Sequence, residues 1–297
     1  MDKASSQGAD AGQGGLPVII DTHLHTIDLS RLQYPWLAGV PALNRDFSYA
    51  TYAQEARRVG ISATLHMEVD VEEGQMAEET DYVAEIAAQP DSLVVGAIAS
   101  CRPESTDFPA YLDRALSDPT IKGFRRILHT MPDDLSEGAL FRENIRRMEG
   151  RGLTFDLCVL PRQHEKAAAL IDLVPGVQFV VDHCGVPDIK GDGFKGWKAS
   201  LSELARRPNV VGKLSGICAY TDTANWTVED LRPYADHTID SFGFDRMVWG
   251  SDWPVCTLAG TLSTWVAASH ALLQGATPEE KGNLLALNAK RIWNLKV

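Results

Sequence analysis

Eight short apolar, β-branched runs recur along this chain with longer helical-period runs between them, and that alternation restricts the fold more than any other feature. The predicted strands are Val18–Asp21, Ser62–Glu68, Leu93–Ala99, Lys122–Leu128, Thr154–Val159, Gln178–Asp182, Val210–Leu214 and Met247–Trp249. Predicted helices include Tyr49–Val59, Met76–Ala88, Leu140–Arg151, His164–Leu173, Trp197–Arg207 and Leu231–Phe242. A helix between successive strands makes them parallel. Open doubly wound sheets more often stop at about five or six strands. Eight therefore predict an α/β fold, a single (β/α)8 barrel over residues 16–297, near the usual size of about 250 residues. The segment after Thr261 is expected to be helical and to close the barrel. Residues 1–15, MDKASSQGADAGQGG, are small and polar; they are expected to form a mobile tail without the apolar run of a signal peptide.

The formal net charge of -12 speaks against nucleic acid and against an anionic membrane surface as partners. No apolar stretch reaches the roughly 18 residues of a membrane span. The cysteines at 101, 158, 184, 218 and 256 are odd in number and include no CxxC pair, which predicts neither a disulfide framework nor a zinc ribbon and points to a reduced cytoplasm.

In a barrel of this kind chemistry collects where strands end. His23 and His25 follow the first strand as an HxH pair, and residues i and i+2 of an extended strand share a face. Glu68 ends strand two, Arg125 lies in strand four, His183 ends strand six and Asp252 follows strand eight, so all are expected at one mouth. A single strand-end His or Asp is ordinarily a satisfied loop partner; several together are costly to assemble without a role.

Asp21-Thr22-His23-Leu24-His25, Val181-Asp182-His183-Cys184-Gly185 and Gly250-Ser251-Asp252-Trp253-Pro254, with the Tyr34-Pro35-Trp36-Leu37 loop, resemble the amidohydrolase superfamily, in its branch of sugar-acid lactonases and related decarboxylases. The resemblance covers residues 17–297. It implies Asp252 as the general base that activates water, and His183 with the HxH pair as donors to the carbonyl oxygen. Two-metal members carry a bridging Lys or Glu on strand four and a His on strand five. Here Lys122 stands at the wrong end of its strand and no His terminates strand five, so a binuclear site is not expected. One zinc or manganese ion among His23, His25 and Asp252, with Glu68 or His183, is compatible with the donor types, but a lactone can be opened without a Lewis acid and no metal is expected to be required.

Arg125 is expected to bind substrate oxygens as a forked donor, and Arg126, on the opposite face, to be structural. Glu68 is expected to accept hydrogen bonds from sugar hydroxyls and to repel a substrate carboxylate. His66, His129 and Trp36 are further substrate-binding candidates, while Trp197, Tyr220 and Trp253 are placed above the mouth as ring-stacking surfaces. Cys184 and Cys256 flank the motifs without the pairing of a nucleophile. The leading function is opening of a small neutral sugar-acid lactone, L-fuconolactone or a close relative. The alternatives are a metal-dependent decarboxylase, a dicarboxylate-lactone hydrolase and a binding protein on the same scaffold.

Overall fold

The computed structural model describes residues 18–297, and the predicted tail at 1–15 lies outside them. The strands are β1 (Ile19–Leu24), β2 (Ile61–Met67), β3 (Val94–Ser100), β4 (Ile121–Ile127), β5 (Thr154–Cys158), β6 (Gln178–Val181), β7 (Val210–Leu214) and β8 (Met247–Trp249). They lie parallel in sequence order. Helices α1 (Tyr49–Arg58), α2 (Met76–Ala87), α3 (Phe108–Leu116), α4 (Ala139–Arg146), α5 (His164–Leu173), α6 (Phe194–Ala205), α7 (Val228–Phe242) and α8 (Leu262–Leu272) follow the strands in turn, with α9 (Pro278–Gly282) and α10 (Asn288–Trp293) at the C-terminus. This is the expected (β/α)8 barrel. The sequence reading passed over α3, whose start is masked by Pro109 in its first turn, a position where proline costs a helix nothing. Among the described residues no helix is long and apolar enough to cross a membrane.

Two apolar layers hold the barrel. One fills the space between strands and outer helices; the other lies inside, where Ile20, Leu65, Ile98, Val180, Val211 and Val248 pack against Ala289 and Trp293 of α10. Strand residues two apart share a face, so inward positions continue upward from this plug to Arg125, Asp156, Asp182 and Lys213. The apolar floor thus supports a layer of buried charge, and the mouth at the C-terminal ends of the strands opens above that.

The sheet closes through the two motifs themselves. Asp252 N–H donates to the His23 carbonyl at 2.9 Å, and His25 N–H to the Trp253 carbonyl at 2.8 Å. The buried Asp21 carboxylate fastens the same seam: Oδ1 accepts the His23 and Ser251 N–H groups at 3.0 and 2.8 Å, and Oδ2 accepts the Tyr52 hydroxyl at 2.6 Å.

Candidate active site

At the C-terminal ends of the strands lies a cavity of about 330 Å³ whose wall includes His25, Trp36, Arg125, His129, His183 and Asp252. His183 and Asp252 both have left-handed backbones, with φ of 52° and 54°, which turns their side chains off the strand ends and into the mouth. Gly216 leaves room for them: a Cβ there would come within 2.4 Å of His183 Nδ1 and 2.9 Å of Asp252 Oδ2.

His25 Nδ1 lies 3.0 Å from the Met67 carbonyl, an acceptor only, so Nδ1 carries a proton. In the neutral ring Nε2 is then a lone pair, and it faces Asp252 Oδ1 at 3.4 Å. Two acceptors are thus aimed at one point, where a water donating both its protons, or a cation, would satisfy both. Of the HxH pair, His25 is the member on the cavity wall, with Nε2 as the ring nitrogen turned to Asp252.

His23 is fully buried and does not reach the cavity wall. Its Nε2 accepts from Arg125 Nη1 at 3.2 Å, and its Nδ1 stands 3.3 Å from Lys213 Nζ. Burial holds the imidazole well below its ordinary range, outweighing the pull of Asp182 and helped by Lys213. His183 is lowered by burial too, against Asp252 and Asp182, and its Nδ1 meets Ser215 Oγ at 2.9 Å. His129 is pushed down to about 4 by burial, with Arg125 adding to the effect. Burial keeps the Cys158 thiol protonated, and its Sγ lies 3.1 Å from His129 Nδ1, where the thiol can donate and leave His129 its Nε2–H.

Glu68 is not an open carboxylate at the mouth, contrary to the sequence reading. It is buried behind the wall, where Oε1 accepts Arg125 Nε at 2.6 Å and Oε2 accepts the Asp70 N–H at 2.8 Å. Burial opposes its charge, but Arg125 and the Asp70 amide outweigh this and hold the carboxyl below 4.5. Arg125 also donates to the Glu68 carbonyl, so much of its fork is spent inside the protein. His66 is likewise off the wall, with Nε2 3.0 Å from Thr26 Oγ1. Trp36 and Tyr220 line the cavity as expected, whereas Trp253 is buried against Phe47 and Tyr52, and Trp197 is buried in α6 with its indole N–H on the Cys184 carbonyl. Arg126 turns away to Glu104.

The sequence reading missed Asp70 on the wall and the charge layer beneath it. Lys213 is fully buried, with Nζ 2.6 Å from Asp156 Oδ2 and 2.7 Å from Asp182 Oδ1. A charged residue two positions from an apolar inward one, as in Val211-Gly212-Lys213, was the available signal: such a charge must meet an opposite one inside the barrel.

Among the described residues, ligand atoms of His23, His25 and Asp252 lie within 4.8 Å of one another, as do those of His23, Asp182 and His183. The first set is a cluster able to hold a metal ion. His25 suits this role, since ligating histidines tie their outer N–H to an oxygen. His23 does not suit it as placed, because the lone pair that would bind the ion is held by Arg125.

The amidohydrolase family model matches residues 20–295. The chain belongs to the amidohydrolase family. This amidohydrolase is 31% identical to an L-fucono-1,5-lactonase of Burkholderia ambifaria, over 81% of this chain and 82% of that protein. It is 29% identical to an L-fucono-1,5-lactonase of Burkholderia multivorans, over 82% and 84%. An amidohydrolase structure from Burkholderia multivorans with bound zinc superposes with a TM-score of 0.84 at 24% identity, covering 94% of this chain and 99% of that one. The chain is a hydrolase of this family, and lactone esters are the bonds on which these curated relatives act.

Proposed function

We propose that this amidohydrolase opens a neutral sugar-acid lactone, L-fucono-1,5-lactone or a close stereochemical relative, to the aldonic acid. The paired acceptors of His25 Nε2 and Asp252 Oδ1, 3.4 Å apart on the cavity wall, carry the reading. A water donating one proton to each keeps its lone pairs free for the lactone carbonyl carbon.

As the C–O bond forms, Asp252 takes a water proton and charge moves to the carbonyl oxygen. His129 Nε2–H and His183, with Ser215 donating to its Nδ1, are the donors available to that oxygen; a preorganised donor contributes roughly 3–4 kcal/mol. The ring C–O bond then breaks and Asp252 returns the proton to the leaving ring oxygen, giving the hydroxy acid. A divalent ion held by His25 and Asp252 would polarise the carbonyl, but the Arg125 hold on His23 favours catalysis by the chain's own groups, and no metal is required in this scheme. A cytoplasmic setting fits the five free, buried cysteines.

A pH-indicator assay over five- and six-membered sugar lactones tests the proposal, because opening releases a proton. Turnover highest on a neutral hexono- or deoxyhexonolactone is expected, and Asp252→Asn should lower kcat by roughly 10²–10⁴ with little change in KM. Near-normal turnover in Asp252→Asn, or preference for 2-pyrone-4,6-dicarboxylate over every sugar lactone, would overturn it.

A further inference from the structure

The loop leaving β2 is pinned through its backbone and through the Glu68 side chain. The Glu68 N–H donates to the Ile98 carbonyl at 2.9 Å, and the Glu68 carbonyl accepts Arg125 Nη2 at 2.8 Å. Val69 N–H donates to Glu79 Oε1 at 2.7 Å, and the Val69 carbonyl accepts the Trp36 indole N–H at 2.8 Å. Asp70 N–H donates to Glu68 Oε2 at 2.8 Å. Burial, aided by the Glu68 charge, pushes Glu79 up to about 8, so this second buried carboxyl stays neutral beside Glu68 at pH 7.

What remains is the Asp70 side chain. The brace holds Asp70 at φ 48°, a left-handed conformation that Asp tolerates better than most residues, and places it on the cavity wall. Its Oδ1 accepts one long hydrogen bond, from Arg102 Nη2 at 3.5 Å, and Arg102 spends Nη1 on Ser100 Oγ and the Cys101 carbonyl at 3.0 and 2.9 Å, which leaves Oδ2 without a partner among the described residues. Asp70 therefore keeps acceptor capacity free. Leaving the histidines aside, the wall's charged side chains are Asp70, Asp252 and Arg125, and Arg125 is already matched by Glu68 at 2.6 Å.

We propose that Asp70 is the specificity-determining residue of this cavity, accepting hydrogen bonds from ring hydroxyls of a neutral lactone and turning away lactones that carry a carboxylate. This rests on the lactonase reading above. Selection against the anion arises because a substrate carboxylate meets two like charges in a narrow cleft whose one guanidinium is engaged. Glu68 acts through Asp70 and Arg125: it is the positioning residue that orients both.

Three lactones on one ring test the idea: L-fucono-1,5-lactone, the analogue with a carboxylate in place of its exocyclic methyl, and the methyl ester of that acid. Wild type and Asp70→Asn, which is isosteric and keeps the left-handed backbone, are compared by kcat/KM. Wild type should prefer the ester to the free acid. Asp70→Asn should lose about ten-fold on the neutral lactone, mainly through KM, and should cut the ester-to-acid ratio by about ten-fold, the scale of one charge-assisted hydrogen bond. Ratios unchanged within two-fold, with wild type active, would overturn the role of Asp70 alone. A wild-type enzyme that opens none of these or any other sugar lactone would overturn the lactonase reading and this inference with it.

Discussion

Replacing Arg125 by Met removes the cation from a fully enclosed pair and exposes how the barrel tolerates its internal charge. Glu68 would keep the Asp70 N–H as its acceptor partner but lose the guanidinium at 2.6 Å, while Asp182 would keep Lys213 at 2.7 Å. Breaking a buried pair from one side typically costs about 3–5 kcal/mol. The structure caps the Glu68 share, because the variant can bind a proton there instead. Protonating a carboxyl of ordinary pKa 4.5 at pH 7 costs two and a half units, about 3.4 kcal/mol, and at pH 5 only about 0.7 kcal/mol. In wild type the depressed Glu68 contributes stability present above 4.5 and lost as pH falls through its folded value, so this group is silent between pH 5 and 7. In the variant its folded pKa lies above 4.5, so its contribution is present below 4.5 and lost as pH rises. Urea denaturation of both proteins at pH 5, 6 and 7 should therefore show a deficit that widens by about 2.7 kcal/mol from pH 5 to pH 7. Adding Glu68→Gln should remove most of the widening. A deficit equal at pH 5 and pH 7 would refute the reasoning.

Exhaustive chelation should leave lactone turnover within about two-fold, since Arg125 withholds the His23 lone pair that an ion would need. Activity lost on chelation and restored by zinc or manganese would refute this. His164 is buried between Ser200 Oγ at 2.8 Å and the Gly185 carbonyl at 3.1 Å and is pushed down to about 4 by burial. The unfolded chain protonates it below 6.5 while the folded protein does not, so stability falls by about 1.4 kcal/mol per unit as pH drops from 6.5 toward 4. His164→Gln should flatten that slope by this amount in urea midpoints at pH 6.5 and 5.0, and an unchanged slope would show that the ring is not held neutral.

Strand identity was legible because apolar period and length are local properties. Val210–Leu214 and Met247–Trp249 were read to the residue, and the other six strands differ by one to three positions at one or both ends. The parts of the site that were legible are those on strand-end motifs, which the barrel must deliver to one mouth. Glu68 was misread because its position at the end of β2 says nothing of its rotamer, and the pairing with Arg125 joins residues 57 apart. Asp70 was missed because its place depends on a turn braced by Trp36, Glu79 and Glu68 together.

The sequence by itself determined the barrel, the HxH and Ser-Asp-Trp-Pro motifs at its mouth, and an acidic chain unsuited to nucleic acid. Periodicity and motif spacing carry that information, since each strand buries its face whatever its distant partners are. Only the tertiary structure decided that Nδ1 of His25 holds a proton, that Arg125 is spent on Glu68 and His23, that Lys213 answers Asp156 and Asp182, and that Asp70 joins Asp252 as a second carboxylate on the cavity wall. Those outcomes turn on distances of about 3 Å between groups far apart in the chain, and a charge or lone pair acquires its role only when its partner is in place.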